Sequence, residues 1–183
     1  MKRALSSLFI MLGLTGCATS APMTYLVLAP VSGPVYVQPG QPLAVGQVLI
    51  PPAIDRSFLT TASSETVINI SYDAQWAAPL GPMTQTVLAR DLAARLPGRQ
   101  VLMPGDAVPE QAMDVSVTIV TFMPYPDHVV LQADWRVAGG TKQAETGRAR
   151  IVTPASATAQ GQAQAMSQAL GHLADLIARR IAG

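Results

Sequence analysis

Few residues of this 183-residue chain are of the types that perform catalysis. It has one cysteine, two histidines and 11 acidic residues. Nucleophilic catalysis needs a serine or cysteine beside a histidine and an acid. The chain has no Gly-x-Ser-x-Gly motif, and His128 starts a strand pattern whereas His172 belongs to a helix pattern. We interpret both histidines as surface residues, so the sequence predicts no catalytic residues and no enzyme.

Neither a metal site nor a phosphate loop is indicated. Two histidines and one cysteine are too few for a multi-histidine metal cage, and we expect no cofactor. Asp114 and Asp134 fit the solvent face of strands, and Asp91 fits the solvated side of a helix. The segment 139–142, Gly-Gly-Thr-Lys, lacks Walker A spacing and is flanked by strand patterns, which indicates a hairpin turn. Carboxylates distant in sequence can still meet in a fold, so an acid–base pair stays open.

The composition argues against a nucleic-acid partner. Charged residues make up 13% of the chain, about half the ~25% of an average soluble domain. The formal net charge is +1, and the nine aromatic residues are not interleaved with a basic stripe. We expect no binding to nucleic acid.

The first residues have the pattern of a targeting signal. Lys2 and Arg3 precede an uncharged, mostly apolar run of 12 residues, Ala4 to Thr15. A transmembrane helix needs about 20 apolar residues, whereas the apolar region of a secretory signal needs only about 7 to 15. The run therefore predicts a signal peptide.

The only cysteine directly follows this run. Leu14, Thr15, Gly16 and Cys17 resemble the lipobox of bacterial lipoproteins, in which the cysteine thiol carries diacylglycerol after cleavage and its amino group is acylated. An ordinary signal peptide with a chance cysteine is the alternative. We predict a cleaved lipoprotein signal at 1–16, a lipidated tether at 17–22 and a single periplasm-facing domain at 23–183.

The predicted tether places the domain near its membrane. Six residue steps of at most about 3.6 Å reach only about 20 Å. Ala18, rather than aspartate, follows the cysteine, which resembles the sorting signal for the outer rather than the inner membrane. Of the 12 basic residues, Lys2 and Arg3 would leave with the signal, so attachment would rest on the lipid rather than on charge.

The rest of the chain predicts an α+β fold. Strand patterns occur at Tyr25–Leu28, Val35–Val37, Leu43–Ile50, Ser57–Thr61, Thr66–Tyr72 and Val101–Met103, and an alternating meander follows from Val115 to Val152. Helical spacing of apolar residues predicts two amphipathic helices, one from Pro79 to Leu96 and one around Met166 to Ile181. We expect two layers: a mixed or antiparallel sheet of about six strands, with both helices on one face.

Two tryptophans are candidates for core or interface positions. Trp76 directly precedes the first predicted helix, and Trp135 lies on the apolar face of a meander strand. We favour core packing for both and keep a lipid or partner contact as the alternative.

Three segments together resemble a known family. They are Val48 to Arg56, Tyr72 to Leu80 with Trp-Ala-Ala-Pro-Leu, and a helix end at Leu92 to Pro97 with Leu-Ala-Ala-Arg-Leu-Pro. In this order they resemble the bacterial ABC-transport auxiliary lipoproteins of the PqiC (YmbA) type, over essentially all of Tyr25 to Ala182. One departure is that Ser57 to Ser64 lacks the second arginine that often follows the family's Asp-Arg element.

The resemblance implies a function in lipid transport. It implies a non-enzymatic, lipid-anchored subunit that works with an MCE-domain protein and an ABC permease and ATPase of the Gram-negative envelope. A homo-oligomeric ring is an assembly that the resemblance also implies. Asp55, Arg56 and Trp76 are the candidate partner contacts. The alternatives are a lipid carrier with its own apolar cavity and a hydrolase of envelope polymers.

Overall fold

The computed structural model describes residues 22–139 and 143–183. The predicted signal peptide, the lipobox with Cys17 and most of the tether lie outside this part, as does most of the segment 139–142. In chain order the elements are β1 (Thr24–Leu26), β2 (Leu43–Val45), β3 (Phe58–Ser64), β4 (Val67–Trp76), α1 (Leu80–Arg95), β5 (Val101–Leu102), β6 (Met113–Pro124), β7 (His128–Ala138), β8 (Glu145–Pro154) and α2 (Ala159–Ala182).

The strands form two sheets. The smaller has the order β1-β4-β3, with β1 parallel and β3 antiparallel to β4. The larger has the order β5-β2-β6-β7-β8, in which β2 is parallel to both neighbours and β6 to β8 form an antiparallel meander. The predicted α+β class with two helices is confirmed. The described strands number eight in two sheets, because the β3–β4 hairpin pairs with β1 instead of joining the meander.

The meander follows the predicted alternation. Val115, Val117 and Leu131 are buried on one face, whereas Thr118 and Arg136 on the other face are exposed. Helix α2 packs against β7 and β8 with a buried stripe that includes Leu170 and Leu173. Burial of this stripe against the apolar sheet face is the main hydrophobic contact between the layers.

Helix α1 has the boundaries that its flanking prolines impose. It begins after Pro79 and ends at Arg95, with Leu96 as the C-terminal cap. Pro97 cannot continue a helix because it has no N–H and clashes with the preceding turn. One side of α1 packs on α2, so the two helices form a joint layer.

Two predicted strands differ from the structure. Val35–Val37 has no strand pairing; there the Tyr36 N–H donates to the Arg95 carbonyl at 2.7 Å, which ties the loop to the end of α1. The predicted strand Leu43–Ile50 ends at Val45 and returns only as a single bridge from Leu49 to Thr118. Proline and glycine punctuation, together with contacts to the helix, overrides the local β preference of these residues.

Both tryptophans are core residues, as favoured from the sequence. Trp76 is 4% exposed and Trp135 is 8% exposed. The ring of Trp135 covers Gly147, its neighbour on β8, so closely that a Cβ atom at position 147 would overlap the indole. A glycine is therefore required opposite this tryptophan.

Candidate partner-contact site

The structure brings the three sequence-predicted contact residues to one cleft. Asp55 and Arg56 lie on one side, and the end of β4 with Trp76 lies on the other. The cleft has a volume of about 340 Å³ and continues along Ala77 to Pro79, the segment that leads into α1. Asp55 and Arg56 are 20 residues or more from Trp76 in sequence, so the fold, not the local chain, forms this site.

A buried isoleucine fixes the loop that presents the two charges. Ile54 is 5% exposed and belongs to the hydrophobic core. The N–H groups of Ile54 and Asp55 both donate to the Pro51 carbonyl at 3.1 Å, which closes a tight turn. Because Ile54 points inward, Asp55 and Arg56 extend into solvent, and Arg56 Nε donates to the Ala53 carbonyl at 3.2 Å.

Trp76 forms the base of the cleft and not an exposed surface. Its backbone N–H donates to the Ser57 carbonyl at 2.8 Å, which joins the two sides. On the far side the Ala77 N–H donates to the Leu26 carbonyl of β1, also at 2.8 Å. The base of the cleft is therefore fixed, because Trp76 and Ala77 are hydrogen-bonded to the chain on either side and the Trp76 side chain belongs to the core.

An exposed aromatic residue beside the cleft was not singled out from the sequence. Four residues of β4, 71–74, stand opposite a single residue of β3, Leu59, so β4 bulges outward. Tyr72 lies in this bulge, is 78% exposed, and its ring lies 5.9 Å from that of Phe58 between centroids. Phe58 pairs with Gln75, which lines the cleft. The only signal in the sequence is a tyrosine between the polar residues Ser71 and Asp73.

The two charges of the cleft have no ionic partner in the described part of the chain. Among the described residues, neither Asp55 nor Arg56 has an oppositely charged group within 4.0 Å. Their side chains are exposed and can exchange water for the charged groups of a partner. The arrangement suits binding: an acid and a guanidinium on a fixed turn, next to an exposed tyrosine.

A second aspartate–arginine group is buried between the helices, contrary to the sequence prediction. Asp91 was expected on the solvated side of α1, yet Asp91 and its neighbour Arg95 are 0% and 1% exposed. Arg95 donates to Asp175 Oδ1 at 2.5 Å, and to the carbonyls of Val31 at 2.9 Å and Gly171 at 3.0 Å. The prediction was wrong because the loop through Val31 covers the side of α1 that α2 leaves free.

This buried group also perturbs a pKa. Burial raises the pKa of the Asp91 carboxyl, although a hydrogen bond from the Val31 N–H at 2.8 Å and the charge of Arg95 act in the opposite direction. Asp91 Oδ2 has no hydrogen-bond partner in the described chain. The side chains of Asp91, Arg95 and Asp175 hold α1, α2 and the loop at Val31 together. We therefore infer that this group stabilises the fold and does not bind a partner.

The remaining candidate residues lie apart from the cleft. His172 is exposed, and His128 contacts Asp127 at 2.6 Å and stacks on Tyr125. This hydrogen bond lowers the pKa of Asp127. Asp134 pairs with Arg148 at 2.6 Å on the outer face of the meander, which lowers the pKa of Asp134. Residues 22–139 and 143–183 contain no group of three potential metal ligands.

Comparison with family models identifies the chain. The model described as "ABC-type transport auxiliary lipoprotein component" matches residues 25–178. The chain belongs to this family. The family is one of transport auxiliary lipoproteins rather than a class of enzymes, and a lipoprotein is attached to a membrane of the cell envelope by its lipid. None of the curated proteins compared matches the chain.

Solved structures share the fold. One crystal structure of an uncharacterized protein superposes with a TM-score of 0.75 at 20% identity and covers 87% of this chain and 99% of its own. A DUF330 protein from Xanthomonas campestris superposes with a TM-score of 0.60 at 12% identity and covers 87% of this chain and 91% of its own. At these identities the likeness establishes the fold alone.

The family-like segments now have distinct structural roles. Val48 to Arg56 and Tyr72 to Leu80 form the two sides of the cleft, whereas Leu92 to Pro97 carries Arg95 into the helix layer. No helix within the described ranges combines the length and apolar character needed to cross a bilayer.

Proposed function

We propose that this protein is a non-enzymatic, lipid-anchored adaptor of an MCE/ABC-type lipid transport system in the Gram-negative envelope. Cys17 would carry the lipid anchor, with Leu14 to Gly16 as the remainder of the lipobox. The partners would be an MCE-domain protein and its ABC permease and ATPase. The outer membrane is the favoured location, and a homo-oligomeric ring is the assembly that the family resemblance implies.

The cleft at Asp55, Arg56 and Trp76 carries this proposal. Its two charges have no ionic partner among the described residues, and its turn is fixed by the buried Ile54. A preformed, charged and partly aromatic surface favours recognition of a protein because little order must be created on binding. Membership in a family of transport auxiliary components supports the same conclusion.

The packing of the interior supports an adaptor over a lipid carrier. A partly open pocket beside Met113, Val137 and Ile181 has a volume of about 10 Å³, room for roughly one water molecule. An acyl chain needs a far larger apolar cavity. The larger depressions are open to solvent and include polar side chains in their walls.

Affinity purification of the full-length protein from its own membranes tests the proposal. Solubilisation in mild detergent and mass spectrometry of proteins and lipids should recover an MCE-domain protein or its permease. Arg56→Ala should reduce that recovery at least several-fold, whereas Arg90→Ala, which removes an exposed arginine of α1, should not. Native mass spectrometry of the same sample reports the number of copies.

Three results would count against parts of the proposal. Near-stoichiometric lipid without a protein partner would favour the carrier. Unchanged recovery with Arg56→Ala would remove the cleft from the interface. Cys17→Ala should abolish membrane attachment, and retention of acyl chains in its mass spectrum would contradict lipidation at that residue.

A further inference from the structure

Strand β8 forms one edge of the larger sheet and has a free side. It pairs with β7 without a register shift, and no other described strand pairs with it. Helix α2 contacts β6, β7 and β8 on one side and α1 on another, so it lies over the inner face of the sheet and not beside β8. Four alternate residues of β8 face the outer side and are exposed: Thr146, Arg148, Arg150 and Val152. We call them the edge residues.

The free side of β8 presents main-chain hydrogen-bonding groups. The Ala155 N–H donates to the Asp127 carbonyl at 2.8 Å. In an antiparallel pair such bonds recur at every second residue. Every second residue from Glu145 to Thr153 therefore directs its main chain to β7. The edge residues between them direct their N–H and C=O groups away from β7, where no described residue bonds to them.

The side chains along this edge are rich in arginine. Arg148 and Arg150 are edge residues, and Arg136 on β7 stands opposite Thr146. Arg148 Nε pairs with an Asp134 oxygen at 2.6 Å. Arg136 and Arg150 have no carboxylate within 4.0 Å in the described chain. Three guanidinium groups on the outer face therefore share one carboxylate.

The end of α2 adds two more guanidinium groups on the inner side of the edge. An open depression of about 740 Å³ lies between the start of β8 and the last turn of α2, and its walls include Arg148, Arg179 and Arg180. Arg180 pairs with Glu145 at 2.6 Å, whereas Arg179 has no carboxylate within 4.0 Å among the described residues. An extended chain lying beside β8 would thus meet arginine on both of its faces.

We propose that the free edge of β8 binds an extended acidic segment of a partner protein, which adds antiparallel as a sixth strand of the larger sheet. Its main chain would offer both donors and acceptors to the edge residues, as in strand addition generally. Carboxylates at alternate positions would lie opposite Arg148 and Arg150, and opposite charges in such cross-strand pairs are stabilising. A phosphate could bind these arginines, but it has no N–H group for the carbonyls of the edge.

A second copy of this protein does not fit the edge. Antiparallel pairing of two β8 strands with the greatest overlap places Arg148 opposite Arg150, or one of them opposite itself. Like charges directly opposite each other are destabilising, and charged side chains commonly protect edge strands from self-association. The arginines therefore select an acidic strand over another β8. The edge shares no residue with the Asp55–Arg56 cleft, so this proposal does not rest on the proposed function.

A synthetic peptide tests the proposal on the full-length protein in detergent. The probe is the blocked heptapeptide acetyl-Thr-Glu-Val-Glu-Val-Glu-Thr-amide, and amide hydrogen exchange of the ¹⁵N-labelled protein reports where it binds. With saturating peptide, the amides of the edge residues should exchange at least about tenfold more slowly, because they gain hydrogen bonds. Methylation of the three glutamate nitrogens should weaken binding about tenfold, because these nitrogens face β8 in an antiparallel addition.

Two variants separate the charges from the main chain. Arg150→Glu reverses an exposed charge that has no ionic partner in the described chain, and should weaken binding of the peptide at least about tenfold. The matched control Arg90→Glu, on the exposed side of α1, should leave binding unchanged. Val152→Pro removes an N–H that faces the free edge and not β7, and should weaken binding roughly several-fold relative to Val152→Ala.

Several results would overturn the proposal. They are no binding at millimolar peptide, equal affinity for the methylated peptide, and binding without slower exchange of the edge amides, which would indicate charge attraction alone. Slower exchange that depends on protein concentration without the peptide would show pairing with a second copy. Slower exchange with phosphatidylglycerol micelles but not with the peptide would show that the ligand is a lipid.

Discussion

Two aspartate–arginine pairs in this protein have opposite surroundings. Asp91 and Arg95, one helical turn apart on α1, are buried and bound to α2 and to the loop at Val31. Asp55 and Arg56, adjacent on a turn, are exposed and have no ionic partner in the described chain. The same residue types therefore serve stability where the fold encloses them and are available for binding where it does not.

The difference lies in what surrounds each arginine. Arg95 has one partly exposed carboxylate, one buried carboxylate and three backbone carbonyls as acceptors. Such a buried group contributes specific geometry, and removal of one member leaves charges without compensation. Among the described residues, the side chain of Arg56 has a hydrogen bond only to the Ala53 carbonyl. Its replacement leaves no uncompensated charge inside the protein.

The largest expected effect comes from removing the buried guanidinium. Arg95→Met leaves Asp91 and Asp175 without their shared cation, and we expect a loss of about 3–5 kcal/mol in the free energy of unfolding. Urea denaturation followed by circular dichroism measures it. Arg90→Met, on the exposed side of the same helix, should cost less than about 0.5 kcal/mol. Similar losses for both variants would show that the buried Arg95 contributes no more to stability than the exposed Arg90 does.

A smaller loss in the free energy of unfolding is expected at Gly33, where the loop at Val31 contacts the buried Arg95 and Asp175. A Cβ atom at Gly33 would overlap Arg95 Nη2 and Asp175 Oδ1. These atoms are fixed by hydrogen bonds, so Gly33→Ala should cost about 1–3 kcal/mol. Gly105→Ala is not a matched control because Gly105 has a positive φ of 98°. Ser32→Ala changes the exposed neighbouring residue and is a suitable control. Thermal unfolding should show a lower midpoint for Gly33→Ala than for Ser32→Ala.

Neutralising Asp91 should raise the free energy of unfolding relative to wild type as pH rises, whereas the two preceding substitutions should lower it. Its raised pKa means that the folded state retains this proton to higher pH than the unfolded chain does. The free energy of unfolding should therefore fall as pH rises from about 4 through the raised pKa. Asp91→Asn still accepts from the Val31 N–H and does not titrate. Its thermal midpoint relative to wild type should be higher at pH 7 than at pH 4; a relative midpoint that decreases with pH would contradict the assignment.

The smallest effect on stability is expected at the cleft. Arg56→Ala should change the free energy of unfolding by less than about 0.5 kcal/mol, because the side chain is exposed and has no ionic partner in the described chain. Chemical denaturation of the purified variant checks this. A loss above about 1 kcal/mol would show that Arg56 is structural, and reduced partner recovery could then no longer be attributed to the interface.

Local patterns predicted much of the fold. The ends of α1 follow from Pro79 and Pro97, and the meander follows from strict alternation of apolar and polar residues between Val115 and Val152. These signals operate within a few residues and need no knowledge of distant contacts. The sequence also selected Asp55, Arg56 and Trp76, which meet at one cleft.

The misplaced residues depend on contacts between distant segments. A helical pattern identifies one apolar face, so it assigned Asp91 to solvent. In the protein a second surface of α1 is covered by the loop at Val31, whose N–H binds that aspartate. Tyr72 was overlooked because only the mismatch between β3 and β4 places it in a bulge. Neither fact is encoded in a window of neighbouring residues.

The buried group also constrains the order in which the protein can fold. Arg95 bonds to Val31, 64 positions earlier, and to Asp175, 80 positions later. Contacts of such long sequence separation form slowly because they close large loops. A chain emerging from its N-terminus can therefore bind the Val31 loop to α1 first, but it completes the buried group only when α2 is available as far as Asp175. Truncation of α2 before Asp175 should then leave Arg95 without that carboxylate and loosen the Val31 loop.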